Sequence, residues 1–380
     1  MKTQVQHVEV YRIACSGPSD LSGVQALIDS GKLQASDIVA VIGKTEGNGC
    51  VNDFTRDFAV TSWCQFLSLY LKCSPREVGR RVALVMSGGT EGVLSPHFTV
   101  FSRRWVPASF PPPIQRRLVV GMAHTRDFLP EEIGRNAQID CTADAVREAM
   151  RDAGITDTSD VHFVQIKCPL LTSAKVNAAL KRGAVPLTHD TYESMGYSRG
   201  ASALGVALAL GEVQPQADLP AALLTDWSLY STRASASAGA ELEGNVVIVL
   251  GEAMGATSPH RIAHTVMQDA VDAASVQRLL LDAFGVSGEG RVCGAWPGLV
   301  NLLAKAEASP DGQVRGQRHT MLNDSDINAT RHARAAVGAV LASIVGITSL
   351  YVSGGAEHQG PAGGGPVAAI VHINEAGLVF

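Results

Sequence analysis

An internal repeat constrains the fold of this 380-residue chain more than any other feature of its sequence. The repeat is a pentad of serine, a small residue, glycine, any residue and glutamate, and it begins at Ser87, at Ser237 and at Ser353. A lysine beside an apolar segment and an arginine after a hydroxyl residue precede each pentad, always in that order. Three colinear copies of one pattern predict three related units in place of one continuous domain.

Each unit contributes one residue of each type. The lysines are Lys44, Lys167 and Lys305, the arginines are Arg56, Arg199 and Arg331, and the pentads begin with Ser87-Gly88, Ser237-Ala238 and Ser353-Gly354. Each arginine precedes an apolar segment of helical length, so we expect it in the first turn of a helix. A cation there opposes the helix dipole. The arginine and the free backbone N–H groups are therefore expected to face an acceptor or an anionic ligand together.

Two breaks divide the chain into three segments of similar size. Three consecutive prolines at 111–113 cannot continue a helix or a central strand, and a weaker break lies at Gly255–Pro259. The predicted units are 1–110, 114–255 and 259–380. Short β-branched runs such as Ile38–Gly43 alternate with longer apolar segments such as Ala333–Val345. The fold class predicted is α/β (α+β), with three similar repeat units around a pseudo-threefold axis and the active site at the centre.

Composition excludes several classes of protein. Hydrophobic residues make up 46% and charged residues 18%, with a net charge of -5 and no basic run, so neither a nucleic-acid nor a membrane partner is expected. No window approaches the roughly 18 apolar residues of a membrane span, and the N-terminus does not resemble a signal peptide, so the predicted location is cytoplasmic. The seven cysteines are scattered without a CxxC pair, which indicates reduced thiols.

The recurring residue types indicate nucleophilic chemistry on a carbonyl. A serine hydroxyl needs a base to remove its proton, and lysine recurs with the pattern whereas histidine does not. Burial or a nearby arginine can lower the pKa of a lysine far enough for this role. Three half-sites around one axis suit a planar ring of alternating carbonyl and N–H groups. The residues alone leave open which serine attacks, and also whether the chain is a non-catalytic protein that binds an imide.

Several long motifs resemble those of the cyanuric acid hydrolase / barbiturase family. They include GKTEGNGCVNDFTR (43–56), MSGGTEGVLSPH (86–97), DTYESMGYSRGASALG (190–205) and YVSGGAEHQGPAGGGP (351–366), and the likeness covers essentially the whole chain. The sequence looks nearer to cyanuric acid hydrolase than to barbiturase, which remains the alternative. The resemblance implies an amidohydrolase that opens cyanuric acid to carboxybiuret, which then decarboxylates to biuret. It also implies a homotetramer and no organic cofactor.

The resemblance also implies roles for individual residues. It pairs Ser87 with Lys44, Ser237 with Lys167 and Ser353 with Lys305, and it makes Ser237 the nucleophile and Lys167 its base. Ala238 replaces the glycine of the other pentads, which mildly supports a distinct role for the middle unit. The ring carbonyls would bind Arg56, Arg199, Arg331 and the residue pairs Ser87-Gly88, Ser237-Ala238 and Ser353-Gly354. A structural divalent cation, Mg or Ca, would bind Glu307, Ala356, Gln359, Gly360, Pro361 and Gly364.

Overall fold

The computed structural model describes residues 4–108, 113–214, 217–285 and 295–374. Most of the predicted proline linker lies outside these ranges. Within them the chain forms three four-stranded sheets, which lie in residues 4–107, 117–253 and 260–372. Each sheet therefore falls inside one of the three segments that the sequence delimits.

The three units contain the following helices and strands. The first comprises β1 (Gln4–Ala14), α1 (Ser22–Asp29), β2 (Ile38–Thr45), α2 (Phe54–Leu71), α3 (Pro75–Arg81), β3 (Ala83–Gly88) and β4 (His97–Pro107). The second comprises β5 (Arg117–His124), α4 (Asn136–Ala153), β6 (Val161–Pro169), α5 (Ser173–Lys181), α6 (Thr191–Leu210), α7 (Leu219–Ala222), β7 (Ala234–Gly239) and β8 (Val246–Ala253). The third comprises β9 (His260–Met267), α8 (Ala273–Phe284), β10 (Leu299–Ala306), β11 (Gln313–Val314), β12 (Gln317–Arg318), α9 (Ala329–Val345), β13 (Tyr351–Gly354) and β14 (Gly365–His372).

The three sheets share one topology. Their strand orders are β1-β4-β2-β3, β5-β8-β6-β7 and β9-β14-β10-β13. In each sheet the last strand of the unit lies antiparallel between the first and second strands, and the second and third strands run parallel. This shared order confirms an α/β chain built from three similar units.

One long helix connects the two parallel strands of every unit. These helices are α2, α6 and α9, and each begins with an Asx residue whose side chain accepts a backbone N–H of the first turn: Asp53, Asp190 and Asn328. Such a cap satisfies one of the N–H groups that a helix start leaves unpaired. The caps therefore fix where each helix begins, next to the carboxyl end of the preceding strand.

Because side chains alternate between the two faces of a strand, each sheet contributes apolar side chains to a shared central core on one face and to an outer core of its own unit on the other. Side chains from all three sheets, including Val85, Phe163 and Ile370, pack against one another at the centre. The opposite face of each sheet packs against the helices of its own unit, as Val41 does with Trp63. A strand buried on both faces needs a nearly continuous apolar sequence, which β8 provides with VVIVL. None of the described helices is both long and apolar enough to span a bilayer.

Candidate active site

Each recurring lysine lies directly opposite the recurring serine of its own unit. In the parallel strand pairs, Lys44 is the register partner of Ser87, Lys167 that of Ser237, and Lys305 that of Ser353. Side chains on one face of a strand alternate with period two. Because Ala40 and Ile42 point into the central core, Lys44 on the same strand points to the centre as well. The topology thus brings together three Ser–Lys pairs at one end of the central core.

The three lysines are buried and donate hydrogen bonds mainly to carbonyl oxygens. Lys44 Nζ donates to Ser87 Oγ (3.3 Å) and to the carbonyl of Gly88 (3.2 Å). Lys305 Nζ donates to Ser353 Oγ (3.3 Å) and to two carbonyls. Lys167 Nζ donates to the carbonyls of Met86 (2.8 Å) and Ala238 (3.3 Å). The middle lysine therefore differs, since no hydrogen bond joins it to a serine hydroxyl among the described residues.

Burial lowers the pKa of all three lysines, as predicted. It lowers the pKa of Lys167 to about 8, with Glu241 opposing the shift and Arg56 adding to it. The pKa of Lys305 falls to about 7 through burial and the neighbouring Arg199. The pKa of Lys44 falls well below its usual value, again through burial first and then through Arg334. Lys167 and Lys305, with pKa values of about 8 and about 7, can exchange protons near neutral pH.

The three serine hydroxyls are not equivalent. Ser87 Oγ donates to Ser353 Oγ at 3.3 Å, and each of these two hydroxyls also accepts from the lysine of its own unit. Ser237 Oγ is buried and forms no well-formed hydrogen bond within the described part of the chain. A buried hydroxyl without a partner is uncommon and costs roughly 1–3 kcal/mol. Among the three serines, Ser237 is therefore the one whose hydroxyl is not hydrogen-bonded to a lysine or to another serine of the described residues.

One arginine from each unit lines a pocket that the three serines and, of the three lysines, Lys167 also line. These are Arg56, Arg199 and Arg334, and the pocket also contacts Gly49, Ser87, Gly88, Lys167, Met195, Ser237, Ala238, Ser353 and Gly354. Each arginine is at least nine-tenths buried. Three buried guanidinium groups and three serines make this pocket strongly polar, which suits a ligand rich in carbonyl oxygens.

The structure corrects two predictions about the arginines. Arg331 does not line the pocket; its side chain is 38% exposed, and Arg334, one helical turn further along α9, takes that place. Three residues along a helix turn the side chain by about 60°, which is enough to exchange a buried position for an outer one. Arg199 lies in the pocket but in the ninth position of α6, so it is not in a first turn and the helix-dipole argument does not apply to it.

Sequence reasoning missed the tyrosine beneath the pocket. Tyr351 is fully buried, two residues before Ser353 on the same strand face, and the first unit has Val85 at the corresponding position. Burial raises the pKa of the Tyr351 hydroxyl, and the hydroxyls of Ser87, Ser353 and Ser237 partly offset that rise. Lys44 Nζ lies 5.9 Å from the ring centroid. A tyrosine in an otherwise apolar strand usually needs a polar neighbour, and that could have indicated its position.

The residues predicted to bind a metal lie together beyond the third pair. Glu307 directly follows β10, and its carboxylate accepts the backbone N–H of Ala356. Burial and the nearby Glu357 together raise the pKa of Glu307 to about 8. The loop that starts at Ala356 folds back so tightly that the backbone of Gly360 lies against Gly365. A Cβ would not fit there, and the positive φ of Gly360 (93°) also favours glycine. No group of three or more His, Cys, Asp or Glu side chains suited to a metal occurs among the described residues.

Known proteins of one family resemble this chain over nearly its whole length. The model of the ring-opening amidohydrolase family matches residues 9–372. The cyanuric acid amidohydrolase of Pseudomonas sp. strain ADP is 60% identical, over 96% of this chain and 99% of its own length. That of Bradyrhizobium diazoefficiens is 57% identical, over 97% of this chain and 99% of its own length.

Two solved structures share the fold. One is a cyanuric acid hydrolase described as an evolutionary innovation by structural concatenation; its TM-score is 0.92 at 59% identity, over 97% of this chain and 100% of the other. The cyanuric acid hydrolase of A. caulinodans gives a TM-score of 0.89 at 50% identity, over 97% and 99% of the two chains. The two solved structures share the fold of this chain, and all of these proteins are at least 50% identical to it over nearly its whole length. The chain therefore belongs to the family of ring-opening amidohydrolases, which includes the cyanuric acid amidohydrolases.

Proposed function

We propose that this amidohydrolase opens the ring of cyanuric acid. The observation that carries the proposal is the pocket in which each unit places one serine, one small residue after it and one arginine. Cyanuric acid is a planar ring with three equivalent carbonyl groups separated by three N–H groups. Each unit can therefore contact one carbonyl in the same way. The names of the relatives reported above support this substrate over others of similar shape.

Ser237 is the nucleophile in this proposal, and Lys167 is its base. The Ser237 hydroxyl is buried without a well-formed hydrogen bond among the described residues, whereas the other two serines are bonded to lysines and to each other. The pKa of Lys167, about 8, lets the neutral amine accept a proton at mildly alkaline pH. The middle pair is thus the one whose hydroxyl can turn to a substrate carbon.

The reaction takes place in two stages. Ser237 Oγ attacks a ring carbonyl carbon while its proton passes to Lys167 Nζ; the ring C–N bond then breaks, and Lys167 returns the proton to the departing nitrogen. Water next attacks the resulting carbamate ester, giving its proton to Lys167, which passes it to Ser237 Oγ as the ester bond breaks. The product, carboxybiuret, loses carbon dioxide to give biuret. No organic cofactor takes part in these steps.

The remaining members of the pocket hold the ring. Arg56, Arg199 and Arg334 each point a guanidinium group towards it, and such groups donate strong hydrogen bonds to carbonyl oxygens. The backbone N–H after each serine can stabilise the negative charge that develops on a carbonyl oxygen. Arg334 replaces Arg331 in this role, for the reason given above.

We also propose that a divalent cation binds beside Glu307. The predicted set combines one carboxylate with oxygens from Ala356, Gln359, Gly360, Pro361 and Gly364, which is the donor chemistry that Mg or Ca prefers. Burial and Glu357 raise the pKa of Glu307 to about 8 even though Arg199 and Lys305 oppose the shift, so a further positive charge beside this carboxyl would be stabilising. The cation would neutralise Glu307 and hold the loop that follows Ser353. The homotetramer implied by the resemblance stays a prediction.

Turnover of two substrates tests the proposed function. The purified protein is expected to release biuret and carbon dioxide from cyanuric acid with a far higher kcat/KM than it shows for barbituric acid, in which a CH₂ group replaces one ring N–H. A clear preference for barbituric acid would assign barbiturase activity instead. Binding of cyanuric acid without turnover would favour a non-catalytic imide-binding protein.

A further inference from the structure

The glutamates that end the three pentads, Glu91, Glu241 and Glu357, have different kinds of ion-pair partner. Glu91 of the first unit forms a bidentate ion pair with Arg334 of the third, with distances of 2.6 and 2.8 Å. Glu357 of the third unit forms the same kind of pair with Arg199 of the second, at 2.5 and 2.7 Å. A strictly threefold arrangement would complete the cycle with a pair between Glu241 and Arg56.

That third ion pair is absent among the described residues. Arg56 Nη1 donates to the carbonyl of Ala238 (2.9 Å), and its Nη2 donates to the carbonyl of Cys50 (2.7 Å). Glu241 Oε1 instead lies 3.5 Å from Lys167 Nζ. The side chains of Glu241 and Lys167 are 14% and 2% exposed, so water screens the pair little. The pentad glutamate of the middle unit therefore faces the lysine of its own unit.

Neither of the other two recurring lysines has such a carboxylate partner in the described part of the chain. Lys44 and Lys305 donate to serine hydroxyls and carbonyl oxygens, and their pentad glutamates pair with arginines. Among the pentad glutamates, the one that departs from the pattern is thus that of the middle unit, and its contact belongs to the Ser–Lys pair to which the proposed function assigns the chemistry.

We propose that Glu241 is a positioning residue that holds Lys167 and stabilises its protonated form after Ser237 has given up its proton. The proposal rests on the proposed function. A proton taken up by Lys167 creates a buried cation, and a carboxylate beside Nζ offsets the cost of burying that charge. The carbonyls of Met86 and Ala238 accept hydrogen bonds from the same ammonium group. Glu241 completes its surroundings with the only negative charge within 4.0 Å among the described residues.

The charged and titratable groups around Lys167 set the direction of the expected effect. Burial lowers the pKa of Lys167; Glu241 raises it, Arg56 lowers it, and Cys168 and Asp53 raise it by smaller amounts. Removing the Glu241 charge therefore lowers the pKa of Lys167 and leaves the amine neutral at lower pH. If neutral Lys167 is the base, the acid limb of the pH dependence of kcat moves to lower pH.

The test compares the pH dependence of kcat for cyanuric acid in the wild type, Glu241→Gln, Glu241→Asp and Glu91→Gln. Glu91 occupies the same pentad position in the first unit, so it is the matched control. Glu241→Gln is expected to move the acid limb down by about half a pH unit or more and to lower the limiting kcat by roughly tenfold or more. Glu91→Gln is expected to raise KM through Arg334 and to leave the limb in place.

The remaining outcomes separate this proposal from the proposed function. An unmoved acid limb in Glu241→Gln, with or without a loss of kcat, overturns the role of Glu241. Glu241→Asp keeps the negative charge but moves it further from Lys167 Nζ, because aspartate is one methylene shorter. Its kcat and the pH of its acid limb should therefore lie between those of the wild type and the Gln variant. If the Gln variant does not fold, the Asp variant decides the question. A kcat and an acid limb equal to those of the wild type in Glu241→Asp would then overturn the proposal. Absence of cyanuric acid turnover in the wild type would instead refute the proposed function.

Discussion

Lys167 and Ser237 are direct register partners in the parallel strands β6 and β7, although 69 residues with three helices lie between those positions in the chain. The same pairing joins Lys44 to Ser87 and Lys305 to Ser353. Parallel strands need a crossover connection, and in each unit that connection carries the helix that supplies the pocket arginine. One supersecondary arrangement therefore delivers all three residue types to one place, and three copies of it surround one polar pocket.

The serine variants test the unequal roles of the three pairs. Ser237→Ala is expected to lower kcat at least about a thousandfold, because no nucleophile remains. Ser87→Ala and Ser353→Ala remove hydroxyls that line the pocket, so we expect mainly a higher KM, with kcat/KM down by about ten- to a hundredfold. Steady-state kinetics on the three variants, with thermal unfolding as a check of folding, measures this. Equal losses in all three would refute the choice of Ser237.

Two arginines one helical turn apart provide a matched pair of variants. Arg334→Ala removes a buried guanidinium group that lines the pocket and pairs with Glu91, so kcat/KM for cyanuric acid should fall by about a hundredfold. Arg331→Ala removes a side chain that is 38% exposed and also contacts Glu91, and we expect less than about a threefold change. A greater loss in Arg331→Ala than in Arg334→Ala would restore the original sequence prediction.

The proposed cation is expected to change how stability depends on pH. The pKa of Glu307 in the folded protein is about 8, above its value in the unfolded chain. The stability that protonated Glu307 contributes is therefore complete below the unfolded pKa and disappears as the pH rises through about 8. A cation binds the ionised form, so millimolar Mg or Ca should raise Tm more at pH 9 than at pH 6.

Differential scanning fluorimetry with and without a chelator measures this response. Glu307→Gln is the control, because it removes the ionisable oxygen while preserving the shape of the side chain. In that variant the rise in Tm on adding the cation should be lost at both pH values. A wild-type Tm that is indifferent to Mg, Ca and chelator throughout this pH range would contradict the proposed cation site.

The residue after each serine provides a test of packing. A Cβ at Gly88 would come within 1.6 Å of Asp53 Oδ2, and Asp53 is buried where it caps α2. Gly88→Ala is therefore expected to lower the free energy of unfolding by about 1–3 kcal/mol. Ala238→Gly in the middle unit creates no clash, and we expect a cost of about 1 kcal/mol or less. Urea denaturation of both variants measures the difference, and equal costs would contradict the packing argument.

Several features of the fold and site were predictable from the sequence. Short apolar runs ending near Lys44 and Lys167 predicted β2 and β6, and the repeated order Lys, Arg, Ser predicted three units with a shared site. Such inferences succeed because alternation and glycine-marked turns are local properties of the chain. The position of the pocket arginine in α9 was not predictable in this way. The repeat pattern, an arginine directly after a hydroxyl residue, pointed to Arg331. The orientation of α9 against its sheet instead places Arg334 in the pocket.

By itself the sequence determined that this protein consists of three related α/β units, each with one recurring serine and one recurring lysine. The tertiary structure alone decided that the three copies are unequal. Ser87 and Ser353 are hydrogen-bonded to each other, Ser237 has no such bond among the described residues, and Glu241 faces Lys167 where its counterparts face arginines. The physical reason is that these contacts form only in the folded chain: Ser87 and Ser353 belong to different units, and Glu241 and Lys167 lie on different segments of one unit. The partners in each contact are far apart in the chain, and distances of a few tenths of an ångström decide which contacts form.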